Sequence, residues 1–413
     1  MLSLRRFLAP VCSLLLALSC AAEAQDWTRF RGPNGAGESE AATIPVTWTA
    51  KDYNWRVELP GTGHSSPVVW GDRIYVTSAS DDTAARMICC LNTADGGVVW
   101  KQSFPSSKHP KNAANNYAAS TPPVDKDHVY MTWATPDNYM VVAMDRQTGR
   151  EVWRRDLGPF VAEHGFGASP MLFGDLLIVP NDQNEKSFIV ALDRMTGKNR
   201  WQIDRRSTRA AYSTPILYQP SGSQPQLILS SFAHGITSLD PASGKLNWEL
   251  DVFKKRVVGS PTLAAGLIVA SCGEGGGGTR MVAIQPGDPA KQVEAKVLYD
   301  FQAPVPYVPV PVAYGNLVFL WHDQGTVACF DAPTGKLHWR EKVGGKYFGS
   351  PVRVRDRLYC MSREGQMTVI AAADQYKLLG KIDLEEPSHA TPAIADGRMY
   401  LRTESHLMSL GGK

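Results

Sequence analysis

The segment Leu192-Asp193-Arg194-Met195-Thr196-Gly197-Lys198-Asn199-Arg200-Trp201 recurs along the chain, and nothing else in the sequence narrows the possible folds as far. Further copies end at Trp153, Trp248 and Trp339, and a first copy, residues 91–100, carries Gly97 where the others have Lys or Arg. Trp100, Trp153, Trp201, Trp248 and Trp339 are separated by 53, 48, 47 and 91 residues, the last gap being almost two periods. A period in the forties marks a repeat architecture, in which each unit buries its apolar face only against its neighbours. The Asp and Thr or Ser side chains can hydrogen-bond the turn backbone, while Gly149, Gly197, Gly244 and Gly335 supply the φ > 0 position. The Trp then carries a large apolar area into the layer between adjacent sheets.

A second landmark opens each unit. A small residue or Ser/Thr precedes a Pro and an apolar run at Ser66, Thr121, Ser169, Thr214, Ser260, Ser350 and Thr391, with Val310 the one departure. Pro is tolerated at the first residue of a strand, where no ladder bond is lost. Four short antiparallel strands per unit make one propeller blade. The chain therefore reads as an all-β, eight-bladed β-propeller of four-stranded blades over residues 53–413, after a signal peptide (1–24) and an extended arm (25–52). The fifth unit lacks its Trp before Val297-Leu298-Tyr299, and the seventh has Gly380 there. The eighth ends at residues 407–410 without a fourth strand, whereas residues 54–59, with Trp55, form a Trp strand without a blade. Closure of the ring by that N-terminal strand removes an open sheet edge. The arm is expected to rest on the propeller through Trp27 and Phe30 and to be removable at much lower cost than residues 54–59.

Arg5-Arg6, an apolar run over residues 7–22 and Ala22-Glu23-Ala24 form a cleavable export signal. Leu18-Ser19-Cys20 offers an alternative, a lipid anchor at Cys20. Either places the protein in the periplasm or outer envelope. No later stretch is apolar enough to span a bilayer. The 43 basic and 40 acidic residues nearly cancel, and no basic stripe argues for nucleic acid. Lys254-Lys255-Arg256 and Arg205-Arg206 read as solvated rim. Residues 272–278 are Gly-rich but lack the Lys-Ser/Thr of a phosphate cradle, so they read as a flexible hairpin loop.

The Asp-x-x-Thr-Gly-Lys-x-x-Trp motif resembles the pyrroloquinoline-quinone (PQQ) repeat, the tryptophan-docking motif of eight-bladed quinoprotein propellers, over residues 53–410. The lead-in Phe30-Arg31-Gly32-Pro33-Asn34-Gly35 and Gly63-His64-Ser65-Ser66-Pro67 resemble exported bacterial PQQ-like proteins. The resemblance implies two kinds of function: PQQ- and calcium-dependent alcohol or sugar dehydrogenases, or a cofactor-free scaffold such as the lipoprotein of the outer-membrane barrel-assembly machine. The dehydrogenase branch implies Ca²⁺ held by Glu and Asn, an Asp base, an Arg against the quinone, a Trp floor and a disulfide between adjacent cysteines. Cys89-Cys90 is adjacent but lies in the apolar run 87–91, where successive side chains leave opposite faces of a strand. No Glu, Asn and Asp set can be placed around one ion. The expectation is a monomeric, non-catalytic binding or scaffold propeller with protein partners in the cell envelope and no cofactor or metal. The alternative is a dehydrogenase with PQQ and Ca²⁺.

Residues just ahead of the Pro openings should ring the central funnel at one pole: His64, Asn116, Tyr117, His164, Phe166, Tyr212, Val258, Tyr307, Phe348, Ser388 and His389. They are expected to be exposed loop residues that form the working surface. Three His on separate blades need not approach to ligand distance.

Overall fold

The computed structural model describes residues 26–206, 208–301 and 303–412; the expected export signal and the alternative anchor at Cys20 lie outside them. Eight sheets follow one another as blades 1 to 8. Blades 1 to 7 occupy residues 68–104, 128–156, 171–205, 216–250, 262–300, 312–342 and 352–383. Blade 8 takes residues 393–411 and receives its fourth strand from Trp55–Glu58. Trp55 pairs with Ser409, Val57 with Leu407 and Glu58 with His406, antiparallel, as the closure argument requires. Blade 2 has three strands, with an isolated bridge from Val124 to Val129 where an inner strand would begin.

Burial explains why the strand sequences differ within a blade. Leu176–Asn181 is buried along its whole length, because both faces meet other blades. The outer strand Asn199–Arg205 alternates, with one face in solvent. Cys89 and Cys90 sit side by side on Arg86–Asn92, and each thiol enters a different apolar cluster. All five described cysteines are free and buried, and burial pushes the Cys89 and Cys90 thiols up to about 11 and about 12.

The repeated Trp joins each blade to the next. Trp153 lies against Gly197 of blade 3, and its Nε1 donates to the Arg194 carbonyl at 3.0 Å. Gly197 has φ +68°, and a Cβ there would stand 2.6 Å from the Trp153 ring, so any other residue meets both backbone strain and a clash. Trp100 on Gly149, Trp201 on Gly244 and Trp55 on Gly96 repeat the arrangement. Their indoles donate to Arg146, Pro241 and Thr93 carbonyls, and Trp339 donates to that of Ala373. Trp248 differs: its indole donates within its own blade to Gln226 Oε1 at 2.8 Å, because blade 5 lacks the standard turn. Blade 5 substitutes Tyr299, whose ring covers Gly335 and whose hydroxyl donates to the Ala332 carbonyl. At Gly380, the arm fills the space. Val46 and Thr47 come within about 3 Å of where a Cβ would be, and Trp48 joins the apolar cluster of Ile382 and Leu384.

The hydroxyls ahead of the Pro openings do more than fit. The Ser66 N–H donates to Thr121 Oγ1, Thr121 N–H to Ser169 Oγ and Thr214 N–H to Ser260 Oγ, each at 2.9–3.0 Å. Val310 N–H donates to Ser350 Oγ, Ser350 to Thr391 Oγ1 and Thr391 back to Ser66 Oγ, all at 3.0 Å. This blade-to-blade ladder joins six of the eight neighbouring pairs, skipping Ser169 to Thr214 and Ser260 to Val310, and crosses the seam between blades 8 and 1.

The arm overturns the expectation of a dispensable appendage. Trp27 is fully buried and pairs with Val69 of blade 1, and the Thr28 carbonyl accepts from Val124. Asn34 exchanges two hydrogen bonds of 2.8 Å with the Leu217 backbone. Arg31, also fully buried, donates to the carbonyls of Pro351, Pro311 and Val310 at 2.8–3.3 Å and to those of Gly35 and Ala36 in its own turn. Glu38–Ser39 then adds a parallel strand to blade 7. The arm thus crosses the inner edges of the blades and blocks the central channel. Arg205 also departs from the solvated reading: it is buried and paired with Asp182 at 3.0 Å.

Two stability outcomes follow from these contacts. Trp153→Ala should lower the unfolding free energy by about 3–5 kcal/mol, the range for a large buried aromatic. Trp248→Ala, at a half-buried ring whose N–H is bonded within its own blade, should cost less than Trp153→Ala in chemical denaturation. Deleting residues 26–37 should destabilise at least as much as Trp153→Ala, since it strips Trp27 and leaves buried carbonyls without the Arg31 donors. A melting temperature unchanged by that deletion would contradict the channel-plug role.

Candidate binding site at one pole

Seven of the expected ring residues meet at one cavity of about 510 Å³: His64, His164, Tyr212, Val258, Tyr307, Phe348 and His389. Ser66, Thr121, Ser169, Thr214, Ser260, Ser350 and Thr391 line it below, so the hydroxyl ladder forms its waist. Phe30 of the arm also lines it, and the arm blocks the channel beneath, which makes the cavity blind.

Four expected members stand elsewhere. Phe166 is buried among Tyr139 and Phe160, with ring centroids 4.9 and 5.3 Å away. The Tyr117 hydroxyl exchanges hydrogen bonds with the His109 backbone, and the Arg86 guanidinium covers its ring at 4.6 Å. The Asn116 amide donates to Thr62 Oγ1 at 3.0 Å and caps the Ala118 N–H at 2.9 Å. Asn116 and Tyr117 shape the loop between blades 1 and 2, and Phe166 packs in the one between blades 2 and 3, rather than facing the funnel. Ser388 is buried and donates to the Arg402 carbonyl. The ring is not a set of exposed residues either: His64, His164 and His389 are half-buried, and Tyr307 is 7 % exposed.

Sequence reasoning missed several lining residues. Asn112 and Asn115 reach the cavity from that same loop, and Asn115 Nδ2 ties it to the His164 and Phe166 carbonyls at 2.7 and 3.1 Å. Gly275 and Gly276 of the Gly-rich hairpin form part of the wall. Arg256, assigned to solvated rim, is 5 % exposed and lines the cavity. Its guanidinium donates to His164 Nε2 and pairs with Glu163. The basic triplet gave no sign that its third member turns inward. Tyr307 is held by Asp323, a buried carboxylate that accepts the N–H groups of Tyr307 and Val308 at 2.7 and 3.1 Å. Burial pushes the Asp323 carboxyl up to about 6 against the pull of those donors.

The imidazoles here are neutral. Burial, then His389 and the cations Arg402, Lys111 and Arg363, hold His64 down to about 2. Burial and Arg363, opposed by Glu364, hold His389 down to about 4. Burial lowers His164 too, with Arg256 and Arg209 adding to it and Glu163 opposing. No Asp or Glu is among the lining residues. Among the described residues, no three His, Cys, Asp or Glu side chains gather closely enough to hold a metal ion, and no helix is long and apolar enough to cross a membrane.

A family model described as outer membrane protein assembly factor BamB matches residues 50–221, 186–294 and 301–378. The chain belongs to that PQQ-like propeller family. No curated protein matches the sequence significantly. Among solved structures, BamB from Moraxella catarrhalis is similar at 15% identity and TM-score 0.60, over 86% of this chain and 97% of that one. The quinohemoprotein alcohol dehydrogenase from Comamonas testosteroni is similar at 13% identity and TM-score 0.67, over 94% of this chain and 80% of its own. The computationally designed Ika8 protein shares the fold at 12% identity and TM-score 0.64, covering 87% of this chain and 99% of that one. At these identities the structural likeness carries the propeller and no chemistry.

The depressed imidazoles give the protein a definite pH response. An unfolded His titrates near 6.5. Below that pH the unfolded chain binds protons that folded His64 and His389 refuse, so stability falls as pH drops from about 6.5 to about 4 and is unaffected by these groups above that window. The double variant His64→Gln/His389→Gln should show a smaller drop in melting temperature between pH 6.5 and 4 than the parent. Identical slopes would show that the pair is not held neutral.

Proposed function

We propose that the protein is a non-catalytic, exported binding propeller that holds a segment of a cell-envelope protein partner in the cavity at one pole. The observation that carries this reading is a blind cavity walled by Tyr212, Tyr307 and Phe348, with amide, hydroxyl and neutral imidazole groups and no Asp or Glu among its lining residues. Cavities of roughly 300–1,000 Å³ with apolar walls and a few placed polar groups bury a ligand well. The family description as an outer membrane assembly factor supports an envelope partner, and the export signal read in residues 1–24 supports the compartment. The closed ring leaves no open blade to invite a second copy, which supports a monomer.

The alternative is a dehydrogenase using PQQ and Ca²⁺. Calcium takes six to eight oxygen ligands, carboxylates prominent among them. The lining offers the Asn112 and Asn115 amides and hydroxyls but no carboxylate. Glu163, beside it, is occupied by Arg256. These residues do not fit a calcium–quinone pair.

Val258→Trp, on the half-buried wall, should fill the cavity without touching a blade interface. Cross-linked pull-downs from the native envelope should recover a partner with the parent protein and lose it with the variant, while the thermal melt stays unchanged. Dye-linked alcohol oxidation with turnover, after reconstitution with PQQ and Ca²⁺, would overturn the proposal.

A further inference from the structure

A chain of hydrogen bonds runs from a cation to the cavity wall. Arg363 Nε donates to His389 Nε2 at 3.1 Å, and His389 Nδ1 lies 3.2 Å from His64 Nδ1. A guanidinium only donates, so His389 Nε2 accepts, and the single proton of that neutral ring sits on Nδ1. His389 Nδ1–H therefore donates to His64 Nδ1, which leaves the His64 proton on Nε2. That N–H has no hydrogen-bond partner among the described residues, and His64 opens onto the cavity. The relay presents the cavity with a donor polarised by Arg363 at its far end, while the rings themselves stay uncharged.

The surrounding charges favour an acceptor that carries negative charge. The cations acting on His64 are Arg402, Lys111 and Arg363, and Arg402 is fully buried. Glu364, acting on His389, opposes them. Arg363 also lies over the Phe348 ring at 4.4 Å, which fixes its position and sets an apolar surface beside the donor. On the opposite wall Arg256 is balanced by Glu163, with Arg209 nearby. Because Phe30 and the arm block the channel below, a chain can end in this cavity but cannot pass through it.

We propose that the cavity captures the free C-terminal carboxylate of a peptide, with His64 Nε2–H as the donor to that carboxylate and the terminal apolar side chain against Phe348. This deepens the pole-binding function proposed above and rests on it. His389 and Arg363 act as positioning residues: they fix the His64 tautomer and strengthen its N–H without touching the ligand. A charge-assisted hydrogen bond of this kind is about twice as strong as a neutral one.

Titration calorimetry on the mature full chain at pH 7 tests this with three probes: N-acetyl-diphenylalanine, its C-terminal amide, and benzoate as a free small carboxylate. The acid should bind at least tenfold more tightly than the amide. Benzoate should compete with the acid but bind more weakly, which separates a peptide terminus from a small anion. His64→Phe should erase the acid–amide difference, and His64→Gln, which restores an N–H donor, should recover part of it. Arg363→Gln should shrink the difference, although Arg363 touches no ligand. Equal affinity for acid and amide, both lost in Val258→Trp, would overturn carboxylate capture while leaving pole binding in place. Benzoate binding as tightly as the peptide acid would overturn the peptide assignment. Failure of all three probes to bind at millimolar concentration would overturn both.

Discussion

The contact on which the molecule depends is an indole ring laid flat on the glycine of the next blade's turn. A single blade has two apolar faces and cannot stand alone; it becomes stable only when each face meets a neighbour. The Trp supplies the area, the Gly permits the approach, and the indole N–H satisfies a turn carbonyl that the packing would otherwise leave wanting. Where this unit is altered, the substitutes have the same physical character. Tyr299 keeps a ring on Gly335 and a hydroxyl donor to the turn, and Trp48 of the arm occupies the apolar layer that blade 7 leaves open at Gly380.

Inside the ring a different set of forces operates. The hydroxyl ladder ties inner strands together at the waist, and the arm threads the channel with two buried arginines. Arg31 has no carboxylate beside it within hydrogen-bond reach; carbonyls from blades 6 and 7 and from its own turn surround the guanidinium instead. Burial holds it down to about 9, so it keeps its charge at neutral pH. A cation embedded among oriented carbonyl dipoles is an expensive plug to extract, and it turns an open channel into a cavity with one mouth. The one-mouthed cavity at the pole therefore depends on residues that precede the propeller in sequence.

The chemistry at that mouth is one of neutral donors in a cationic surround. Three imidazoles, two amides and a waist of hydroxyls line it, with no carboxylate among the lining residues. Arg363, His389 and His64 convert a distant positive charge into one well-aimed N–H. These groups sit on loops carried by a rigid ring of blades.

The repeat spacing, the Trp–Gly pairing and the orphan Trp strand determined the eight-bladed ring and its closure by residues 54–59, because these are local patterns whose geometry the chain must obey in every copy. The funnel position of His64, Tyr212, Val258, Phe348 and His389 was legible for the same reason, since each stands three residues ahead of a Pro opening, while His164 and Tyr307 stand six and four ahead of theirs. What neighbours these residues was not legible. Tyr117 and Phe166, five and four residues ahead of their Pro openings, turn into their own loops and core, and Arg256 turns inward from a basic run that looks solvated. The meeting of His64 with His389, 325 residues apart, exists only once the ring has closed. The arm, punctuated by Gly, Pro and Asn, suggests a loose lead-in, and only the tertiary structure supplies the carbonyls that bury it. Contacts of that kind are set by blades brought together from distant parts of the chain, so no local pattern encodes them.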